Sequence, residues 1–324
     1  MKTVKLFPNI RSCDLISYVP FDNETGSSSI VLRAPAKINL YLDITGVDRR
    51  GYHSLNMVNK VISLADEVSI SVRKGGSGVI DFECNVPGLP TDSRNTCVKA
   101  AALFRGCVET NDDISISLHK EIPHEAGLAG GSADGAAVLL GLNHIYGEPC
   151  DENTLQLLSL SIGTDVPFCR TKRTALCTGD GRNIRYIKDN MDWKRYALVL
   201  IKPNVGISTG DAYSQYDVLT GGSDPAAPGH QTAVEALSLG DMEMLSHGAY
   251  NALMIPALAK HKIVGNIIDY LRARGAVLAM MSGSGTCVYG YFDRTMSPDF
   301  NDILNGAYAE FGDQIFTYAE MEEI

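Results

Sequence analysis

Pro123-His-Glu-Ala-Gly-Leu-Ala-Gly-Gly-Ser-Ala-Asp-Gly135 is the stretch that decides how this chain is read. Before it, Ile114-Ser-Ile-Ser-Leu118 alternates cleanly and predicts a strand. After it, the small and apolar residues 133–145 predict a buried helix, starting at about Ser132. A strand, a glycine-rich turn and a helix in that order build an anion site. Glycines let the backbone approach an oxyanion closely, and the first amides of the helix have no partner within it. The helix dipole adds roughly half a positive charge at the same end. Ser132 could supply a hydroxyl to a phosphate or to a magnesium ion. Asp134 suits the helix start and could also approach the metal. Taken alone, the run supports only an anion-binding turn, because such glycines also serve tight packing of a small-residue helix. It is not the loop G-x-x-x-x-G-K-[ST], since no lysine follows Gly131, and Gly127, Gly130, Gly131 and Gly135 do not have the spacing of G-x-G-x-x-G. The H-R-D and D-F-G signatures of protein kinases are not found in the sequence.

Upstream, residues 30–44 alternate with period two, and Pro35 predicts a bend or an edge there. Residues 67–72 and 79–83 flank Lys74-Gly-Gly-Ser-Gly78 and predict a hairpin. Residues 95–104 predict a helix capped by Asn95 or Thr96. Downstream come a shorter helix over 153–162, ended by Gly163, and a continuous apolar strand over 196–201. A segment rich in Pro, Gly and Ser runs from there to Gly229. Helical spacing follows over 257–274, then strands over 276–281 and 286–292 around Ser282-Gly-Ser-Gly285. Strands and helices interleaved with hairpins predict an α+β fold rather than a doubly wound parallel sheet. The length of 324 residues suits two domains, 1–190 and 191–324.

Bulk properties narrow the function classes. Hydrophobic residues at 45% and charged residues at 20% describe an ordinary globular chain. A net charge of -10 disfavours nucleic acid, so a phosphate-bearing ligand must be held by local amides and single cations. Eight cysteines without C-x2-C spacing give no zinc signature and predict reduced thiols in a cytoplasmic protein. No apolar stretch reaches the roughly 20 residues of a membrane span, and residues 1–29 resemble neither a secretory signal nor a transit peptide.

Three separated segments are similar to motifs of the GHMP kinases, in the family's order: Ala34-Pro-Ala-Lys-Ile-Asn-Leu40, the run from Ile122 to Ala137, and Met281-Ser-Gly-Ser-Gly-Thr-Cys-Val288. The resemblance implies a two-domain kinase fold, an N-terminal domain like ribosomal protein S5 and a C-terminal ferredoxin-like domain. It also implies ATP as donor with Mg2+, and a small alcohol as acceptor. Arg50-Gly-Tyr-His-Ser-Leu55 and Ile162-Gly-Thr-Asp-Val-Pro-Phe168 narrow it to a member that phosphorylates the 2-hydroxyl of a cytidine-diphosphate-linked sugar alcohol. The rival readings are a mevalonate or homoserine kinase type, and a catalytically silent nucleotide-binding protein on the same fold. A monomer or a homodimer is equally compatible with the sequence.

Carried onto this chain, the resemblance gives Asp165 the acid/base role and Lys37 the electrostatic one. Phosphoryl transfer is mostly positioning and charge stabilisation, which one carboxylate and one cation can serve. Whether Asp165 is a full base or mainly orients the alcohol stays open at this point. ATP contacts fall on Pro123, Gly127, Leu128, Ala129, Gly130, Gly131, Ser132 and Ala133, with Asn95 toward the adenosine and Ser132 as a metal ligand. Asn39 is placed at the reacting substrate. Tyr52 and His53 resemble a cytidine clamp, whose second wall is Tyr213 or Tyr216.

Overall fold

The computed structural model describes residues 14–47, 51, 53–224 and 226–320. The chain gathers into two compact units, and neither is a single stretch of sequence. The first combines residues up to Ala36 with Ala65–Ile122 and Ala129–Lys172; the second combines Lys37–Leu64, Pro123–Leu128 and the chain from Arg173 onward.

The strands of the first unit lie in the order Leu15–Val19, 27–36, 65–73, Asp113–His119 and Ile80–Cys84, where 27–36 and 65–73 are parts of the longer strands Ser27–Val47 and His53–Arg73. Period-two alternation sends Ile30, Leu32, Val68, Ile70, Ile114 and Ile116 into the core, while Ser71, Ser115 and Ser117 face solvent. Helix Gly130–Ile145 lies so close to the buried face that a Cβ on Gly141 would sit 2.6 Å from the Ile70 side chain. Helices Thr96–Val108 and Glu152–Ile162 complete this unit's layer, capped by the side chains of Asn95 and Asp151.

Two expectations are corrected here. The strands on either side of Lys74–Gly78 do not form a hairpin, because Asp113–His119 inserts between them, antiparallel to the first and parallel to the second. The glycine turn survives because the Asp113 carboxylate accepts hydrogen bonds from the amides of Ser77 and Val79, at 2.9 and 3.0 Å. Pro35 causes no interruption, since Ser27–Val47 is one continuous strand. On its side of the strand, the amides of Arg33 and Lys37 donate to Asp14 and Leu128 carbonyls, and the missing N–H of Pro35 falls in the gap between them.

The second unit carries a four-stranded antiparallel sheet in the order Ala276–Met281, Val288–Asp293, Tyr196–Lys202, Phe316–Glu320. Numbered along the chain, that order is second, third, first, fourth, the arrangement of a split β-α-β sheet. Val288 pairs with Ile201 and Phe292 with Ala197. Lys262–Ala273 turns Val264, Ile267, Ile268 and Leu271 inward, and Phe300–Phe311 buries Ile303 and Ala307. The helical pattern expected over 257–274 is two helices, Met254–Lys260 and Lys262–Ala273, parted at His261 where the backbone turns extended. The Pro/Gly/Ser-rich segment holds a further helix, Thr209–Thr220, whose start is fixed by Ser208 accepting from the Asp211 amide. Ser208-x-x-Asp211 is a capping signal that could have revealed it.

Candidate active site

The glycine-rich run splits at Ala129. Residues Pro123–Leu128 form an irregular loop in the second unit, and the helix starts at Gly130, earlier than expected. Ala129 adopts a left-handed conformation (φ 57°) as the cap, which lets Gly130 and Gly131 enter the first turn instead of preceding it. The Ala133 amide already donates to the Ala129 carbonyl, so the amides of Gly130, Gly131 and Ser132 are the ones a helix start leaves over. No side chain caps this end. Gly131 is exposed and Ser132 half-buried, so a ligand oxygen can reach both.

In the second unit the loop rests on the Ser282-Gly-Ser-Gly285 turn. Ser282 Oγ donates to the Gly127 carbonyl at 2.9 Å, and the amides of Thr286 and Cys287 donate to Glu125 and Ala126 carbonyls. The backbones touch so closely that a Cβ on Gly127 would lie 2.0 Å from the Ser282 carbonyl oxygen. Glycine is required at this approach.

Lys37 is 4% exposed, not on a wet strand face. Its Nζ donates to Asn39 Oδ1 at 2.7 Å, and Asn39 Nδ2 donates to Asn59 Oδ1 at 2.6 Å. Asn39 is fully buried with both ends of its amide in use. Its side chain thus sits between Lys37 and Asn59.

His53 and Tyr213 stack, with ring centroids 4.6 Å apart and planes 23° from parallel. Asp217 Oδ1 lies 2.9 Å from His53 Nε2 and fixes the ring. Tyr213 is half-buried, whereas Tyr216 is fully buried in the core. Tyr52 lies outside the described residues. Asp217 went unnoticed in the sequence, although its place four residues after Tyr213 sets both on one helix face.

In the first unit, half-buried Asp165 stands at the start of the six-residue helix Val166–Thr171 without capping it through its side chain. Asn95 caps its own helix: its Oδ1 accepts from Cys97 N at 2.9 Å and its Nδ2 donates to the Pro90 carbonyl at 2.8 Å. Thr96 Oγ1 donates to the Gly131 carbonyl at 2.6 Å, tying that helix to the first turn of Gly130–Ile145.

The sequence model of the GHMP kinases N terminal domain matches residues 95–172, and that of the GHMP kinases C terminal domain matches residues 233–300. A Clostridium perfringens protein named 4-diphosphocytidyl-2-C-methyl-D-erythritol kinase is 37% identical over 278 residues, covering 86% of this chain and 94% of its own. The protein of that name from Clostridium novyi is 37% identical over 81% of this chain and 90% of its own. The chain belongs to the GHMP kinase family.

Solved structures agree with this GHMP kinase assignment. A 4-(cytidine 5'-diphospho)-2C-methyl-D-erythritol kinase superposes with a TM-score of 0.70 at 27% identity, over 89% of this chain and 97% of that one. A homoserine kinase from Cytophaga hutchinsonii superposes at 0.69 with 15% identity, over 93% of this chain and 96% of its own, a likeness of fold. Membership makes the chain an ATP-dependent kinase of small molecules. No helix among the described residues is long and apolar enough to cross a membrane.

One cluster of this GHMP kinase escaped the sequence reading. Lys120 Nζ pairs with Asp66 Oδ2 and, at 2.8 Å, with Asp134 Oδ2. Asp66 Oδ1 accepts from the amides of Glu121 and Ile122, at 2.6 and 2.8 Å. Burial alone would lower the Lys120 pKa, but the carboxylates of Asp134 and Asp66 hold it above its usual value. Asp134 is therefore engaged with Lys120 at 2% exposure, not open toward a metal as its place in the run suggested. Nothing in the spacing of residues 66, 120 and 134 announces the triad.

Proposed function

We propose that the chain transfers the γ-phosphate of ATP to the 2-hydroxyl of 4-diphosphocytidyl-2-C-methyl-D-erythritol. The observation that carries the reading is the 37% identity to kinases named for that substrate, spread over 81–86% of the chain. The stacked His53–Tyr213 pair supports it, because a pyrimidine base needs an aromatic surface that a mevalonate or homoserine does not.

In this reading the open amides of Gly130, Gly131 and Ser132, in the first turn of their helix, receive phosphate oxygens, and Pro123, Gly127, Leu128 and Ala129 belong to the chain that leads into it. Ala133 adds packing, since its amide is already bonded within the helix. Asn95, which uses one N–H and one lone pair of its amide in capping its helix, has a second of each to offer adenosine. Lys37, oriented by Asn39, steadies negative charge, and Asp165 accepts the hydroxyl proton. No group of three or more His, Cys, Asp or Glu suited to a metal occurs among the described residues. A magnesium ion would arrive with the nucleotide and need few protein ligands. Ser132 is the residue that would hold it, and the ion would neutralise phosphate charge. Each family match lies on one side of residue 190, which supports domains 1–190 and 191–324 along the sequence.

A coupled ADP-release assay with ATP and magnesium tests the reading against a panel of alcohols. Turnover is expected with the cytidine-linked substrate; turnover with mevalonate or homoserine and none with that substrate overturns it. Tyr213→Ala is expected to raise KM for the cytidine substrate by about tenfold, the scale of one lost stacking contact, and to leave KM for ATP unchanged. Equal effects on both would remove Tyr213 from the substrate site.

A further inference from the structure

Two cysteines of the first unit stand opposite one another without a disulfide bond. Cys107 and Cys150 are free thiols with their Sγ atoms 3.9 Å apart. Cys107 is exposed in the last turn of Thr96–Val108, while Cys150 is 4% exposed, just beyond the turn that ends Gly130–Ile145. The position of Cys150 is fixed from behind by Asn143, a fully buried residue. Asn143 Oδ1 accepts from the Cys150 amide at 3.0 Å, and its Nδ2 donates to the Cys150 carbonyl at 3.4 Å. The two helices are also joined where they begin, by the bond from Thr96 to Gly131. The thiol pair thus faces across the far ends of a helix pair whose near ends are already fastened.

We propose that Cys107 and Cys150 are a reversible redox pair that closes to a disulfide on meeting an oxidised low-molecular-weight disulfide such as oxidised glutathione. The exposed sulfur reacts first because the oxidant can reach it. The Cys107 thiolate attacks one sulfur of the small disulfide, that S–S bond breaks, and one small thiolate leaves. Cys150 gives its proton to water and attacks the Cys107 sulfur, which expels the second small thiolate. The protein thiols lose two electrons and two protons, and the small disulfide takes up the electrons. Bonding requires the sulfurs to close from 3.9 Å to about 2.05 Å, a movement that the side chains of an exposed helix end can supply. Burial pushes the Cys150 thiol up, so the second step is the slow one and quickens as pH rises.

The test treats the full chain, in native buffer, with graded mixtures of oxidised and reduced glutathione, followed by acid quenching, alkylation and mass spectrometry. The expected result is loss of two hydrogens and one cross-linked peptide containing Cys107 and Cys150, reversed by a reductant. The linked form is expected to melt about 5 °C higher, the scale on which closing such a loop acts in a domain of this size. A lasting glutathione adduct on Cys107 with Cys150 still alkylated would overturn the proposal. So would a link from either cysteine to another, or no reaction. Cys107→Ser decides the matter without risk to the fold, since that side chain is exposed: it must abolish both the cross-link and the rise in Tm.

Discussion

Asp165→Asn is expected to lower kcat by about 10²–10⁴-fold, the usual contribution of a positioned general base. Nucleotide affinity should stay close to that of the parent chain. The substitution is nearly isosteric, and the Asp165 side chain does not cap the helix it precedes. Asparagine is in any case as good as aspartate at a helix start. Steady-state rates with saturating substrates, set beside ADP affinity from calorimetry, separate the two effects. Normal turnover would remove Asp165 from the proton-accepting role. A fall in kcat matched by an equal loss of nucleotide affinity would point to a structural one.

Gly127→Ala is expected to cost about 3–5 kcal/mol of stability, more than a typical single substitution. Two penalties add. The backbone stands at φ +73°, where an L side chain is strained, and the new Cβ would lie 2.0 Å from the carbonyl oxygen of Ser282. A carbonyl cannot swing aside as a flexible side chain can, so the loop must lift from the Ser282–Gly285 turn. Gly147→Ala is the control, since its φ of +78° brings the same strain but nothing lies within 4 Å of its Cβ. It should cost only about 1–2 kcal/mol. Urea midpoints read the difference. The lifted loop should also lower kcat/KM for ATP, by about 10²-fold if the phosphate-facing amides move by an ångström. Equal costs at the two glycines would show that strain alone acts at Gly127.

The strands and the main helices were legible because alternation and small-residue runs record burial one residue at a time. Ile114, Ile116 and Leu118 are buried as their alternation says, and residues 133–145 are buried along their whole length. Pairing was not legible. The hairpin signal around Lys74–Gly78 is local, while the strand that enters between its arms begins at Asp113, beyond a whole helix. The break at His261 was hidden too, since apolar spacing carries through a change of backbone conformation that leaves the same faces inward.

The sequence by itself determined the class and the chemistry: an α+β chain, a glycine-rich run that suits an anion, and the family order of Lys37, that run and Asp165. These are properties of residue type and spacing, which need no third dimension. Tertiary structure alone decided what each side chain is occupied with. Asn39 faces Lys37 and Asn59, Tyr213 and not Tyr216 meets His53, and Asp134 pairs with Lys120. The physical reason is distance along the chain. Asn39 and Asn59, His53 and Tyr213, or Asp66 and Lys120 are brought together by strand pairing and helix packing. A buried polar group takes whichever partner the fold sets beside it.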